Sequence, residues 1–393
     1  MNTLGLTKPY AVRNAWIIWG LFFVIISLVV VFLPLQNPRT VTPVYRSASL
    51  DWLAGKPIYE PGIGGYLYLP QACILFVPFA KLPFSAAEVL WRALCIGMLA
   101  GAVWRLARLA SMEGCPNLFP LLTLLVIPTA LESARNGQMN IPMAALMTLA
   151  AVDLAERRWW PAAVWLVLAL SLKPLILVML ILSALLFRPM RWRLAAGILF
   201  VFSFPFLTQH PDYVLAQYRL FFLKSQASGN PGGLATFSDL FGILGTLGIH
   251  LGFTIQATIR VAAGIAALAL CWIGLRRWDH ARGTLLFFAL TACFTLLFNP
   301  RTENNTYVVA GVPMALFASR AFLCDSRPVT GGLLAAGIVS ITANYQIAGT
   351  NHWLCPAVCL LFFFYLVYFL LAERCPASGQ RRLEDLSSIQ PGR

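Results

Sequence analysis

Long apolar segments alternate with short polar connections along almost the whole chain. A helix needs about 20 apolar residues to cross a bilayer, and helices or closed barrels are the structures that satisfy their backbone polar groups there. Candidate spans lie at residues 16–34, 86–106, 118–134, 139–155, 160–172, 174–187, 192–208, 256–275, 283–298, 306–323, 329–346 and 353–371. The pattern therefore predicts an all-α polytopic membrane protein, a bundle of about 10–12 transmembrane helices with a long first extracytoplasmic loop.

Basic residues collect in alternate connections between these spans: Lys8, Arg13, Arg105, Arg108, Arg157, Arg158, Arg188, Arg191, Arg193, Arg276, Arg277, Arg282, Arg320, Arg327, Arg374, Arg381, Arg382 and Arg393. Cytoplasmic loops of membrane proteins are enriched in Lys and Arg. The pattern predicts that both termini are cytoplasmic. It also predicts that the segment 160–187 crosses outward and back, with Lys173-Pro174 at the outer turn. One long tilted helix is the alternative, and it would invert every later connection.

Composition agrees with a membrane protein. The chain is 59% hydrophobic and 11% charged, with a mean hydropathy of +0.74 and a net charge of +14. The excess charge lies in short loops, where it indicates topology and contact with anionic lipid rather than nucleic-acid binding. We expect one membrane domain over residues 1–372 and a disordered cytoplasmic tail over 373–393. The nine scattered cysteines form no CxxC and are expected to pack as small apolar residues without disulfides. No metal or cofactor is expected.

Four polar segments fall on the predicted extracytoplasmic side, at residues 39–68, 132–140, 173–174 and 299–307. Polar groups at membrane helix ends are costly and usually serve a substrate or an ion path. Fixed cations suit a phosphate ester, and Arg135, Lys173 and Arg301 are the candidates. Amides and carboxylates suit sugar hydroxyls, for which the candidates are Asn136, Gln138, Glu303 and Asn304. Sugar transfer also needs a carboxylate base, for which we consider Asp51 first and Glu60 second.

Each of these residues also has a structural explanation. Asn136-Gly137 is a common turn pair, and Lys173 could extend from a helix end toward the interface. Arg301 and Glu303 could form an ion pair that fixes two helices. Asp51 and Glu60 could be solvated loop acids.

Several short motifs in these segments resemble the family 87 glycosyltransferases, in an order that covers roughly residues 15–370. The motifs are Val44-Tyr45, Gly55-Lys56-Pro57-Ile58-Tyr59, Tyr66-Leu67-Tyr68-Leu69-Pro70, Gly137-Gln138-Met139-Asn140, Lys173, Asn299-Pro300-Arg301-Thr302-Glu303, Asn305 and Tyr307. The resemblance implies a C-type membrane glycosyltransferase with a lipid-phosphate sugar donor and a single inverting displacement. It also implies an active site that faces away from the cytoplasm, with Tyr45 beside the sugar or acceptor.

The chain departs from the family pattern at the position of the catalytic base. Family members place an aspartate a few residues before the tyrosine that matches Tyr45, whereas residues 39–43 contain no acid. Either the base has moved to Asp51 or Glu60, or the activity of this branch is different or lost.

The sequence thus favours transfer of a hexose such as mannose from a polyprenyl phosphate to an extracytoplasmic glycolipid or glycan, in a bacterial plasma membrane. Two other functions remain open. The same cavity could belong to a transporter or lipid flippase, although the polar groups gather at one face. A non-catalytic subunit of an envelope-glycan assembly complex would explain the missing aspartate.

Overall fold

The computed structural model describes residues 9–32, 40–60, 64–111, 115–229, 237–299, 301–344, 346–347 and 349–372. The α-helices in these ranges are α1 (Pro9–Phe32), α2 (Thr42–Leu53), α3 (Pro70–Ala80), α4 (Phe84–Ser111), α5 (Phe119–Asn136), α6 (Asn140–Ala155), α7 (Trp159–Leu172), α8 (Leu177–Leu186), α9 (Met190–Ser203), α10 (Pro211–Gly229), α11 (Leu240–Thr246), α12 (Phe253–Arg277), α13 (His280–Phe298), α14 (Val308–Leu323), α15 (Pro328–Ala343) and α16 (Leu354–Ala372). Short 3₁₀ turns precede α8 and α14 and follow α9. The proposed tail, 373–393, lies outside the described residues.

Each of the twelve predicted spans coincides with a helix, so the predicted all-α membrane fold is confirmed. Within the described residues, seven helical segments are long and apolar enough to cross a membrane by themselves: Tyr10–Phe32, Phe84–Ser111, Met190–Leu207, Phe253–Arg277, His280–Phe298, Asn304–Leu323 and Leu354–Ala372. The shorter apolar helix α6 lies inside the bundle, where almost all of its side chains are buried. Of the long helices, α13 and α14 are the most buried, whereas the shorter helices α8 and α15 expose apolar side chains such as Leu185 and Leu333.

The segment from α7 to α8 forms a helical hairpin that reverses direction at Lys173-Pro174, as predicted. Lys173, at the break, is extended (φ −152°, ψ 122°), because the ring of Pro174 disfavours helical backbone in the preceding residue. The rings of Trp159 and Phe187, at the two free ends of this hairpin, lie 6.2 Å apart. Lys173 instead contacts Asn140 at the opposite end of the bundle. We call these two ends the arginine-rich end and the Lys173 end.

An ion-pair network ties three helices together at the arginine-rich end. Asp153 on α6 is fully buried and accepts from Arg105 Nη2 on α4 at 2.7 Å. Trp165 Nε1 on α7 donates to the same carboxylate at 2.7 Å. Glu156 and Arg158 extend the network toward the surface. This network fixes the far end of the helices whose other ends carry the polar residues.

Two cysteines do not pack as expected. Cys115, before α5, and Cys324, after α14, are joined in a disulfide. The expectation that no disulfide forms was therefore wrong for this pair, because the loops at the arginine-rich end bring together positions that are distant in sequence. Six other cysteines, Cys73, Cys95, Cys271, Cys293, Cys355 and Cys359, are free and buried, as expected of small apolar residues.

A close helix contact provides a test of the packing. A Cβ added to Gly311 on α14 would lie 2.2 Å from Thr129 Oγ1 on α5. Thr129 cannot rotate away freely, because its hydroxyl donates to Val126 O at 2.8 Å. We expect Gly311→Ala to lower the free energy of unfolding by about 1 to 3 kcal/mol, as overpacking typically does. Thermal unfolding in detergent would measure it. Gly332→Ala on α15 is the control, since its Cβ meets nothing within 4 Å; equal stability of both variants would contradict the packing.

Candidate functional site

The turn between α5 and α6 is held in place by a buried ion pair on α4. Gly137 ends α5 in the left-handed conformation (φ 68°), which glycine adopts without strain. Arg92 Nη2 donates to Arg135 O at 2.7 Å, and Trp91 Nε1 donates to Gly137 O at 2.8 Å. Arg92 also pairs with Glu88 at 2.6 Å in the interior. The pair is intrahelical, since the two residues lie four positions apart on α4, and it also positions the turn.

Asn140 connects this turn to two other segments. Its Oδ1 accepts from Lys173 Nζ at 2.6 Å, and its Nδ2 donates to Asn305 Oδ1 at 2.9 Å and to Gln138 Oε1 at 2.6 Å. Ser133 Oγ donates to Asn305 O at 2.6 Å. One buried amide therefore brings together polar segments that are far apart in the sequence.

Charged and phenolic side chains from separate segments interact near the Asn140 amide. Tyr45 and Tyr68 share a hydrogen bond of 3.0 Å between their hydroxyls. Glu303 acts electrostatically on both tyrosines, on Lys173 and on Arg301, and Arg301 acts on Lys173 and Tyr68. We call these five residues the polar cluster. Burial raises the pKa of both tyrosines and lowers the pKa of Arg301, although Glu303 opposes the shift at Arg301.

The loop that carries Arg301 and Glu303 is anchored on residues 237–242. Ser238 N donates to Thr302 O at 2.9 Å, and Ser238 Oγ donates to Asn304 Oδ1. Tyr307 OH donates to Ser238 O at 2.7 Å. The loop is therefore held on both sides of Glu303, so the backbone at the polar cluster is fixed.

Asp239 in the same segment gives a pH-dependent prediction. Its carboxylate caps α11 by accepting from Gly242 N at 2.8 Å. Burial raises the pKa of Asp239 to about 6, although that hydrogen bond and the charge of Arg260 oppose the shift. Because the folded protein disfavours the ionised form, the contribution of Asp239 to stability is complete below its unfolded pKa of about 4. It is lost as the pH rises through about 6.

We expect Asp239→Asn to remove this dependence, since asparagine caps a helix equally well and does not titrate. Between pH 4 and pH 7 the wild type should lose about 2 to 3 kcal/mol of stability relative to this variant. Unfolding curves across that pH range would measure the difference. A difference that is constant with pH would contradict the assignment.

The two predicted bases lie apart from each other. Asp51 is half-buried on α2, accepts from Ser47 Oγ at 3.3 Å and acts electrostatically on Tyr213. Its described contacts include no member of the polar cluster. Glu60 is exposed, and its carbonyl oxygen accepts from Lys224 Nζ at 2.7 Å.

Lys224 connects Glu60 to the polar cluster. Only 7% of its surface is exposed. Burial lowers the pKa of Lys224, the charge of Arg301 acts in the same direction, and Glu60 opposes the shift. Lys224 therefore links Glu60 to Arg301, whereas no described contact links Asp51 to Arg301.

The remaining candidates lie around the turn and the anchored loop. The described contacts of Arg135 are made by its carbonyl oxygen. Asn136 is buried and its carbonyl oxygen accepts from Val41 N at 3.1 Å. Gln138 is buried against Asn140, and Asn304 is held by Ser238. The structure thus groups Lys173, Arg301, Glu303 and Tyr45. The other four candidates, Arg135, Asn136, Gln138 and Asn304, form the structure around that group.

A cavity of about 330 Å³ opens beside the anchored loop. It is lined by apolar side chains of α5 and α15 together with six polar residues: Thr129, Glu132, Asn304, Asn305, Thr342 and Gln346. Asn305 also bonds Asn140. The cavity therefore adjoins the amide that holds Lys173.

Lys224 is not among the candidates drawn from the sequence, because no membrane-length apolar run marks α10. The sequence did contain a signal that indicates a helix with Lys224 on one face. Gln217 and Lys224 are seven residues apart, so they share one helix face, and both bond the first loop: Ile58 N donates to Gln217 Oε1 at 3.1 Å. The neighbouring helix α11 is short, Leu240–Thr246, because glycines follow it.

The fold and this site define an integral membrane protein with a cation-bearing polar site at one end of its helix bundle. The sequence profile of glycosyltransferase family 87 matches residues 66–300, more than half of the chain. The chain therefore belongs to glycosyltransferase family 87, as its motifs predicted. Lys173 and Tyr68 lie inside the matched residues, whereas Tyr45, Arg301 and Glu303 lie outside them.

Two curated relatives carry the same description, polyprenol-phosphate-mannose-dependent alpha-(1-2)-phosphatidylinositol mannoside mannosyltransferase. The protein of Mycobacterium tuberculosis is 30% identical over 155 residues, which cover 33% of this chain and 36% of the relative. The protein of Mycolicibacterium smegmatis is 32% identical over 155 residues, which cover 33% of this chain and 34% of the relative. The matched segment therefore spans about a third of the length of these relatives.

Proposed function

We propose that the chain transfers a hexose such as mannose from a polyprenyl phosphate to a glycolipid or glycan acceptor on the extracytoplasmic side of the membrane. One observation carries the proposal: Asn140 bonds both Lys173 and Asn305, which ties Lys173 to the loop that carries Arg301 and Glu303 at one end of the bundle. A phosphate diester needs such cations, and sugar hydroxyls need such acceptors and donors. Membership of family 87 and the described activity of the two relatives support the same chemistry.

In this proposal Arg301 and Lys173 bind the donor phosphate, with Arg135 and Lys224 nearby. Tyr45, Glu303 and Asn304 contact the sugar or the acceptor, and Asn136 and Gln138 support that surface. The sugar moves in one inverting displacement, in which the acceptor oxygen attacks the anomeric carbon as the phosphate leaves. A lipid phosphate departs as a stable anion, so it needs cationic stabilisation more than protonation.

The sidedness of the site is part of the proposal. The arginine-rich end carries Arg105, Arg158 and Arg282, and basic residues favour the cytoplasm. The polar cluster lies at the other end of the same helices. The positive-inside rule therefore supports an extracytoplasmic polar cluster.

The test is a transfer assay with the full-length protein. Right-side-out vesicles would receive polyprenyl-phosphate-[³H]mannose and a membrane glycolipid fraction as acceptor, and labelled glycolipid would be measured. We expect transfer without permeabilising the vesicles. Labelled donor that crosses the bilayer unchanged would favour a flippase, and absence of both transfer and movement would contradict the proposal.

A further inference from the structure

Glu303 differs from the other described acids in its surroundings. It lies between Thr302, which is fully buried, and Asn304, and both neighbours are bonded to Ser238. Its own carbonyl oxygen accepts from Thr306 N at 2.9 Å. The backbone around it is thus fixed, whereas its side chain is exposed. A fixed residue with an accessible carboxylate can meet a substrate in a defined position.

Glu303 shares its loop with Arg301 and with Asn305, and Asn305 bonds Asn140, the residue that accepts from Lys173. The charge of Glu303 also acts on Tyr45, Tyr68, Lys173 and Arg301. The two cations are those that the proposed function assigns to the donor phosphate. A carboxylate beside them lies next to the donor's anomeric carbon, where the acceptor hydroxyl must arrive. That position suits a general base, which must lie within hydrogen-bond reach of the proton it removes.

The other acids at this end have different surroundings. Glu88 is buried against Arg92, and Asp239 is buried as a helix cap. Glu132 lines the cavity, and its Oε2 is buried. Asp51 accepts from Ser47 on its own helix, and Glu60 flanks Lys224. Among the described acids, Glu303 therefore combines exposure with a position on the loop that carries Arg301 and is tied through Asn305 and Asn140 to Lys173.

We infer that Glu303 is the base that takes the proton from the acceptor hydroxyl. The inference rests on the proposed function. As the acceptor oxygen bonds to the anomeric carbon, its proton passes to Glu303 and the bond from that carbon to the phosphate oxygen breaks. The bonding electrons leave with the polyprenyl phosphate, whose added negative charge faces Lys173 and Arg301. Glu303 then releases the proton to water.

The experiment compares Glu303→Gln with the wild type in detergent-purified protein. A general base contributes about 100- to 10,000-fold to rate, so we expect kcat to fall at least about 100-fold. We expect binding of polyprenyl-phosphate-mannose, measured without acceptor, to change by less than about threefold. Glu303→Asp should recover part of the rate with a displaced pH profile, which a purely structural residue would not do. Asp212→Asn is the matched control, because Asp212 is an exposed acid whose side chain is 88% accessible.

The outcomes separate the inference from the function. A wild type that transfers no sugar would remove the proposed function and this inference with it. An active wild type with a Glu303→Gln variant that keeps more than a tenth of its rate would overturn the inference alone. Asp51→Asn and Glu60→Gln, measured in parallel, would then identify the base. A Glu303→Gln variant that is inactive and no longer binds donor would also overturn it, since the carboxylate would then serve binding.

Discussion

Replacing Arg301 with alanine should lower sugar transfer by about 100- to 1,000-fold, the loss typical of removing one preorganised group that stabilises transition-state charge. Arg301 lies among Tyr68, Glu303 and Lys173, where we propose that the departing phosphate gains its charge. Because that charge grows as the bond breaks, the loss should fall mainly on kcat. Initial rates at saturating donor and acceptor would measure it.

Two further variants sharpen the Arg301 prediction. Arg301→Lys keeps the charge but not the planar fork of donors, so its rate should lie between those of alanine and the wild type. Arg188→Ala removes an exposed arginine at the arginine-rich end and should leave the rate unchanged. Full activity of Arg301→Ala in protein with wild-type thermal stability would remove Arg301 from the phosphate site.

Replacing Arg92 with alanine should destabilise the protein by about 3 to 5 kcal/mol, because it leaves the buried Glu88 carboxylate without its cation. The two side chains are 1% and 3% exposed. The substitution also removes the donor to Arg135 O, so the turn that carries Asn140 loses its support. Thermal unfolding and the transfer rate should both decrease.

The control for Arg92 is an exposed ion pair. Arg158 is 56% exposed and lies 3.5 Å from Glu156 and 3.4 Å from Asp153. Because Asp153 keeps Arg105 as a closer partner at 2.7 Å, Arg158→Ala should cost only about 0 to 1 kcal/mol. In the double variant Arg92→Met with Glu88→Leu no buried charge remains, and most of the stability should return. The transfer rate should stay low, because methionine cannot hold Arg135 O. An Arg92→Ala variant as stable as Arg158→Ala would contradict this account.

The membrane helices were predictable because their signal is local. An apolar run must form a helix in lipid, and the Lys173-Pro174 break follows from the two residues alone. The helix α10 was not recognised, since its apolar and polar residues are mixed and no membrane-length run marks it. The disulfide between Cys115 and Cys324 depends on the packing of distant loops, and no local pattern contains that information.

The candidate site was predictable in part for a related reason. Topology places residues on one side of the membrane, and that was enough to group Lys173 with Arg301 and Glu303. It does not say which way each side chain points. Asp51 follows Tyr45 by six positions on α2, where a helix has turned by about 240°, so the two face different surroundings. Asn140 and Lys224 became visible only when tertiary contacts were known.

The short hairpin of α7 and α8 determines the depth at which Lys173 lies. The fourteen residues of α7 extend only about 21 Å, less than the roughly 30 Å of hydrocarbon in a bilayer. In the orientation proposed above, Lys173 therefore lies below the plane of the lipid headgroups, and the outer leaflet must dip toward it for a phosphate to arrive. Where the bilayer is thinned in this way, the dielectric constant is lower than in bulk water. Each cation of the polar cluster therefore attracts an anionic headgroup more strongly there.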